Sequence, residues 1–240
     1  MNTTINRLLK LLATSALLLI AAQPVLAFTI VGSRHDFTLT GPIAANRWTG
    51  DRICVACHAP HNADVTVGML WSHTNTAGAG FQPYPTGGTM NASPSASMSN
   101  GTKLCLSCHD GSLAPDSFVT GAATAAVLAG THKIGPDLRG SHPIGFTYNL
   151  ALATADQSLQ DPAALIIAGS TGAGNNKSGS ITTVLLGGTG VMECSSCHDV
   201  HNTFTAINTP GTGLVKLAGT GTVKTASTIG AQLCLACHNK

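Results

Sequence analysis

CVACHAPHN (residues 54–62) places two cysteines and a histidine in the order C-x-x-C-H and adds a second histidine, His61, three places later. The same order recurs wherever the chain has cysteine. All eight cysteines fall in four pairs, Cys54/Cys57, Cys105/Cys108, Cys194/Cys197 and Cys234/Cys237, and each pair is followed at once by a histidine: His58, His109, His198 and His238. Disulfides would suit an exported chain, but rings of C-x-x-C size crosslink almost nothing and leave the histidines unexplained. Two zinc sites of four cysteines are compatible with the spacing, yet they too ignore the histidines.

The remaining reading is covalent attachment of c-type haem. Histidine occupies 10 of 240 positions, so four chance placements behind four cysteine pairs have a probability on the order of 10⁻⁶. The chemistry asks for this spacing. Two sulfurs form thioethers to the two vinyl groups on one porphyrin edge, and the histidine that follows reaches the iron from one face.

Six histidines are left over: His35, His61, His73, His132, His142 and His201. Four six-coordinate irons need only four of them. His61 follows His58 by three residues, so in a helical turn the two side chains leave the same face. The macrocycle screens the far side of that haem from this turn, and His61 is therefore expected to serve a neighbouring iron. CSSCHDVHN (194–202) repeats the arrangement with His198 and His201. The competing role for either is a bond to a haem propionate. Met69, Met90, Met98 and Met192 stand in no regular relation to the motifs and are ranked behind histidine as ligands.

An internal repeat organises the set. The first and third motifs share C-x-x-C-H-x-x-H-N, and the second and fourth share G-x-x-L-C-L-x-C-H, in GTKLCLSCH (101–109) and GAQLCLACH (230–238). The chain reads as two related dihaem halves, about 28–130 and 131–240. Each half also has a histidine upstream of its haem pair, His35 in SRHDF and His142 in GSHPIGF. His35, His61, His142 and His201 complete the irons symmetrically. His73 in MLWSH competes for one place, with Trp71 beside it to pack on a haem, and His132 ranks last.

Residues 1–27 read as a secretory signal: Arg7 and Lys10 precede the mostly apolar run Leu11–Ala22, and small Ala27 ends the segment. The run is too short to cross a bilayer comfortably, so no membrane span is expected. The mature chain begins near Phe28 and is expected outside the cytoplasm. It keeps 10 basic residues against 10 acidic ones, so no basic field exists to attract nucleic acid, and near-zero charge removes a barrier to self-association. Aromatic residues are 4% of the chain and charged residues 9%, well under the usual quarter for charge. TAGAGFQPYPTGGTMNASPSASMSNG (76–101) and AGSTGAGNNKSGS (168–180) have neither helical nor strand period.

HDF…CVACHAPHNA…LWSH…CLSCHDG…SHPIGF…CSSCHDVHN…CLACH resembles the multihaem c-type cytochromes of the doubled CXXCH motif. With four haems behind a secretory signal, it is most similar to the tetrahaem extracellular cytochromes that polymerise into conductive filaments, the OmcE-like nanowires. The likeness runs from Arg34 to His238 and is specific only at the motifs. It implies four haem c groups, all bis-histidine, in one continuous chain. It also implies a homopolymer in which one distal histidine comes from the adjacent subunit. His35, near the mature N-terminus, is the first choice for that crossing.

The expected fold is mostly irregular coil with short helices and few strands, organised around four covalently bound haems. Short helical turns are expected at each C-x-x-C-H and a helix over 161–169, with Asp161 as N-cap, Pro162 in the first turn and Gly169 as stop. ITTVLL (181–186) is expected as a strand and 120–130 as a helical turn or two. Buried porphyrin stands in for missing side chains at ~25 cal/mol per Å², so the haem-free chain is expected to be disordered. Bis-histidine irons leave no open position, which points to electron transfer by a secreted or cell-surface carrier rather than to an enzyme. A soluble periplasmic shuttle is the alternative, and a multihaem reductase of nitrite, hydroxylamine or tetrathionate, which would keep one iron open, ranks below it.

Overall fold

In the computed structural model, residues 30–38, 52–73, 80–88, 90–117, 126–164, 166–167, 179–201, 216 and 229–239 are described, including every cysteine and every histidine. Residues 1–27 lie outside them. Most of the described chain is turn and coil. Its regular elements, in order, are α1 Asn100–His109, a 3-10 turn Gly130–His132, β1 Phe146–Thr147, α2 Leu150–Asp156, β2 Ile166–Ile167, β3 Gly179–Ser180, α3 Ile181–Val184, β4 Val191–Met192, α4 Cys194–Cys197 and α5 Ile229–Cys237.

Polar caps start the short helices, as they must where too few turns exist for propensity to suffice. The Ser99 hydroxyl accepts from the Thr102 amide (3.2 Å) to open α1. Asn149 accepts from Leu152 (3.0 Å) to open α2, which closes on Gln157 in the left-handed region at φ 59°. Glu193 and Ser196 form a reciprocal capping box on α4. The strands pair antiparallel, β1 with β4 (Phe146 opposite Met192) and β2 with β3 (Ile166 opposite Ser180).

Two apolar clusters result. Tyr148, Ala153, Ile181, Val184, Leu185, Leu186, Met192 and Ala236 form the larger one, under α5 and the fourth motif. Phe81, Met98, Leu106 and Leu138 form the smaller one under α1 and the second motif, and Ile144 packs on both. Met98 and Met192 are thus core residues.

Two local expectations are overturned, and a third falls largely outside the described residues. Residues 162–164 are a turn, with the Asp161 carboxylate accepting from Ala163 (2.9 Å), and Ile166–Ile167 is a strand. The β-branched pair finds an antiparallel partner in Gly179–Ser180, which outweighs the helix-start signal. Gly169 lies outside the described residues. ITTVLL is not a strand: Ser180 caps α3 by accepting from Thr183 (3.3 Å), and Ile181, Val184 and Leu185 bury at helical spacing. Of 120–130, residues 120–125 lie outside the described residues, and 126–129 have no regular structure before the 3-10 turn. Helices carry the second, third and fourth motifs, whereas the first is built from consecutive turns over 53–57.

Candidate haem-binding site

One local bond shapes three of the motifs. The histidine amide donates to the carbonyl of the first cysteine in His58→Cys54 (2.9 Å), His198→Cys194 (3.0 Å) and His238→Cys234 (2.8 Å). In the second motif Cys105, Cys108 and His109 are residues of α1 itself. Each site is therefore one turn of chain presenting two sulfurs and an imidazole.

All eight cysteines are free thiols. Burial pushes Cys57 up to about 12, with the Cys108 thiol adding to it. Cys105 is raised and Cys194 lowered because the two thiols share a hydrogen bond. Burial also raises Cys237 to about 12, helped by Cys197. These mutual effects place motif one beside two, two beside three and three beside four.

The histidines meet in pairs. Ring centres are 6.0 Å apart for His35 and His109, 6.2 Å for His58 and His201, and 6.3 Å for His142 and His238. The interplanar angles are 53°, 11° and 76°, so the separation is held nearly constant while the orientation is not. Direct ring packing would select an orientation. A shared metal selects a distance: with metal–nitrogen bonds of about 2 Å, ring centres lie about 3 Å from the metal and about 6 Å from each other.

Main-chain carbonyls fix the tautomer of one ring in each pair. His58 Nδ1 lies 2.6 Å from the Met69 carbonyl, His109 Nδ1 2.9 Å from that of His132, and His142 Nδ1 2.9 Å from that of Pro143. A carbonyl only accepts, so Nδ1 carries the proton and Nε2 keeps the lone pair a metal requires. His132 thus contributes its backbone, not its ring.

The His35 ring lies against His109 of the same chain, and burial, with His109 and His198 nearby, lowers its pKa to about 4. Asp36, which sequence reading passed over, builds its turn. The buried carboxylate accepts from the Gly32 amide (2.7 Å), the Thr38 amide (3.1 Å) and the Thr38 hydroxyl (2.5 Å). Burial raises the Asp36 pKa, but these bonds outweigh it and the net shift is downward.

His73 is buried between two main-chain carbonyls. It is 1% exposed, its Nε2 lies 2.6 Å from the Ala56 carbonyl, and its Nδ1 lies 2.6 Å from that of Ser117. Both ring nitrogens face main-chain carbonyls, so the ring lies between the first motif and the segment after α1. His61 is exposed, and among the described residues no ring contact joins it to another histidine.

The donor set fits a porphyrin better than a bare metal. Among the described residues no three His, Cys, Asp or Glu side chains gather on one ion, as a four-thiolate zinc site would require. Haem iron asks the protein for only two axial ligands. Two buried N–H-bearing atoms, His35 Nδ1 and Trp71 Nε1, have no hydrogen-bond partner among the described residues, and Trp71 is only 8% exposed. Such groups are costly unless something accepts from them, and haem propionates are acceptors of the right kind. The chain matches no family model and no curated protein. Among the described residues no helix is long and apolar enough to cross a membrane.

Proposed function

We propose that the chain is a tetrahaem electron carrier. The observation that carries this reading is the set of three imidazole pairs at 6.0–6.3 Å, each containing the histidine of a C-x-x-C-H motif. Cys54/Cys57, Cys105/Cys108, Cys194/Cys197 and Cys234/Cys237 would hold the haems as thioethers, His58, His109, His198 and His238 would bind the irons from one side, and His201, His35 and His142 would cap those of His58, His109 and His238. When bound, the haems supply a one-electron couple at four neighbouring positions. In the three pairs a histidine would stand on each side of the iron and leave no open position for substrate, which favours transfer over catalysis. The thiols neighbour one another in motif order, and that order is the path we assign.

His61 remains for the fourth iron. Because it is exposed, it is also the residue placed to reach an adjacent copy, and we assign it the crossing role in a secreted filament. Near-neutral charge and a Gly/Ser/Thr-rich chain favour such assembly. Mass and absorption of the exported protein test the carrier reading: four covalent haems and low-spin spectra are expected. A colourless sample, or strong carbon monoxide binding at one reduced haem in four, would overturn it. Electron microscopy tests the filament, with thin fibres expected from the native chain and monomers from His61→Ala. Monomers of the native chain at high concentration would remove the assembly claim alone.

A further inference from the structure

The turn that feeds the first motif is strained in a way its own packing does not reward. Gly68, Met69 and Leu70 stand in succession at φ 75°, 55° and 54°. Glycine accepts that region freely, whereas methionine and leucine are disfavoured there. Nor do the two side chains gain burial in return, since Met69 is 63% and Leu70 56% exposed. What faces inward is the main chain. The Leu70 carbonyl accepts from Ala59 (2.8 Å), the Gly68 carbonyl accepts from Trp71 (3.2 Å), and Ser72 donates to Cys57 (3.0 Å). Between them the Met69 carbonyl meets His58 Nδ1 at 2.6 Å, shorter than the 2.9 Å of the equivalent bonds to His109 and His142. Two disfavoured residues therefore aim one carbonyl at one imidazole. Strain that persists where a ligand is oriented is a reason to look for function.

We propose that Gly68–Leu70 is a potential-setting turn. By accepting tightly from His58 Nδ1–H, the Met69 carbonyl makes the imidazole a stronger donor through Nε2 and holds the first haem at a lower reduction potential than the ring alone would give. A short second-shell bond raises the basicity of a ligating histidine, and a more basic axial ligand stabilises the ferric state. Met69 and Leu70 are positioning residues, acting through the backbone. The inference rests on the haem reading above, and the two fail separately: absent haem sinks that reading, whereas four haems with unmoved potentials sink only this one.

The test is a reductive titration of the purified four-haem protein, resolving the four potentials, on two variants. Met69→Gly accepts the left-handed backbone and keeps the carbonyl, so all four potentials should stay in place. Leu70→Pro cannot adopt φ 54° and also disfavours the present conformation of the residue before it, which re-aims the Met69 carbonyl. One potential should then rise while three stay. A Leu70→Pro protein that retains four haems but shows four unchanged potentials, or four that move together, would overturn the proposal. If Leu70→Pro does not assemble, the unaltered protein decides. In its fully reduced, diamagnetic state the His58 Nδ1 proton should exchange with deuterium more slowly than those of His109 and His142, and equal or faster exchange would sink the idea.

Discussion

The first and fourth motifs are the same pentapeptide pattern held by opposite means. Around the first, buried side chains are mainly polar or aromatic: Ala56, Trp71, Ser72 and His73. The turn is tied by directional bonds, with Ser72 Oγ donating to the Ala56 carbonyl (3.1 Å), His73 bridging Ala56 and Ser117, and the Met69 carbonyl on His58. Around the fourth, α5 lies on the larger apolar cluster through Ala236. There the Cys237 carbonyl accepts from the Gln160 amide (2.8 Å) and, more weakly, from the Tyr148 hydroxyl (3.2 Å). C-x-x-C-H does not bring its own fold; the surroundings decide whether it is a helix on a core or a knot of turns. Directional bonds fail one by one and leave orphaned groups, whereas packing loosens in proportion to the volume removed.

Removing one group from each region tests that difference. The largest expected effects are at Ile181 and His73. Ile181 is 0% exposed in the larger cluster, and Ile181→Ala should cost about 2–5 kcal/mol. His73→Ala takes the ring away from the Ser117 carbonyl and leaves the Ala56 carbonyl to Ser72 Oγ, and should cost about 1–3 kcal/mol. Denaturant titration of the purified proteins gives both numbers. The regions separate on rescue: Ile181→Val should recover most of the loss, while His73→Leu, apolar and of similar size, should recover little. Full recovery by His73→Leu would show that the first motif is held by packing after all.

Asp36→Ala comes next. It deletes three bonds that shape the His35 turn and should cost about 2 kcal/mol. Under the haem reading proposed above, the readout is carbon monoxide binding, which should appear at one reduced haem of four as His35 loses its place. Tyr148→Phe should be milder. Its hydroxyl donates to the Gln160 carbonyl (2.6 Å), and the loss should be about 1–2 kcal/mol with all four haems still closed to carbon monoxide.

What could be read in advance divides along the same line. C-x-x-C-H is legible because its spacing is fixed four times over in the sequence, and sparse regular structure follows from long stretches without period. The partner of each histidine is less so. His201 stands beside His58 from the other half of the chain, a pairing that no local spacing encodes. The Met69 carbonyl was invisible because any residue has a carbonyl, and methionine draws attention to its sulfur instead. Asp36 was in view within SRHDF, but its side chain serves its own backbone, a role shared by many unremarkable aspartates. The carbonyls around His73 are equally out of sight, because sequence does not show which acceptors surround a ring. The strand and helix exchanged over 161–186 reflect β-branched residues, which fit either state until a cap or a partner strand settles the matter.

Gly101 gives the smallest effect and bears on why the repeat G-x-x-L-C-L-x-C-H begins with glycine. A Cβ built there would stand 2.7 Å from Glu193 Oε2 and 3.7 Å from its Cδ, so α1 meets the segment leading into α4 at closest approach. Two terms oppose each other in Gly101→Ala. Alanine near the start of a helix gains part of the ~1 kcal/mol by which it exceeds glycine. Against that, Glu193 must swing aside, and its carboxylate is half of the capping box on α4, a type of contact worth about 0.5–2 kcal/mol. Because Oε2 is the far end of a flexible side chain, relief is available, and the net loss should stay under about 1 kcal/mol. Glu193→Ala removes the obstacle and the cap together. In that background Gly101→Ala should turn from slightly destabilising to slightly stabilising, and a double-mutant cycle on the four-haem protein measures the change of sign. If alanine at 101 is equally harmful with Glu193 absent, the glycine is there for the helix start itself and not for the approach of the second motif to the third.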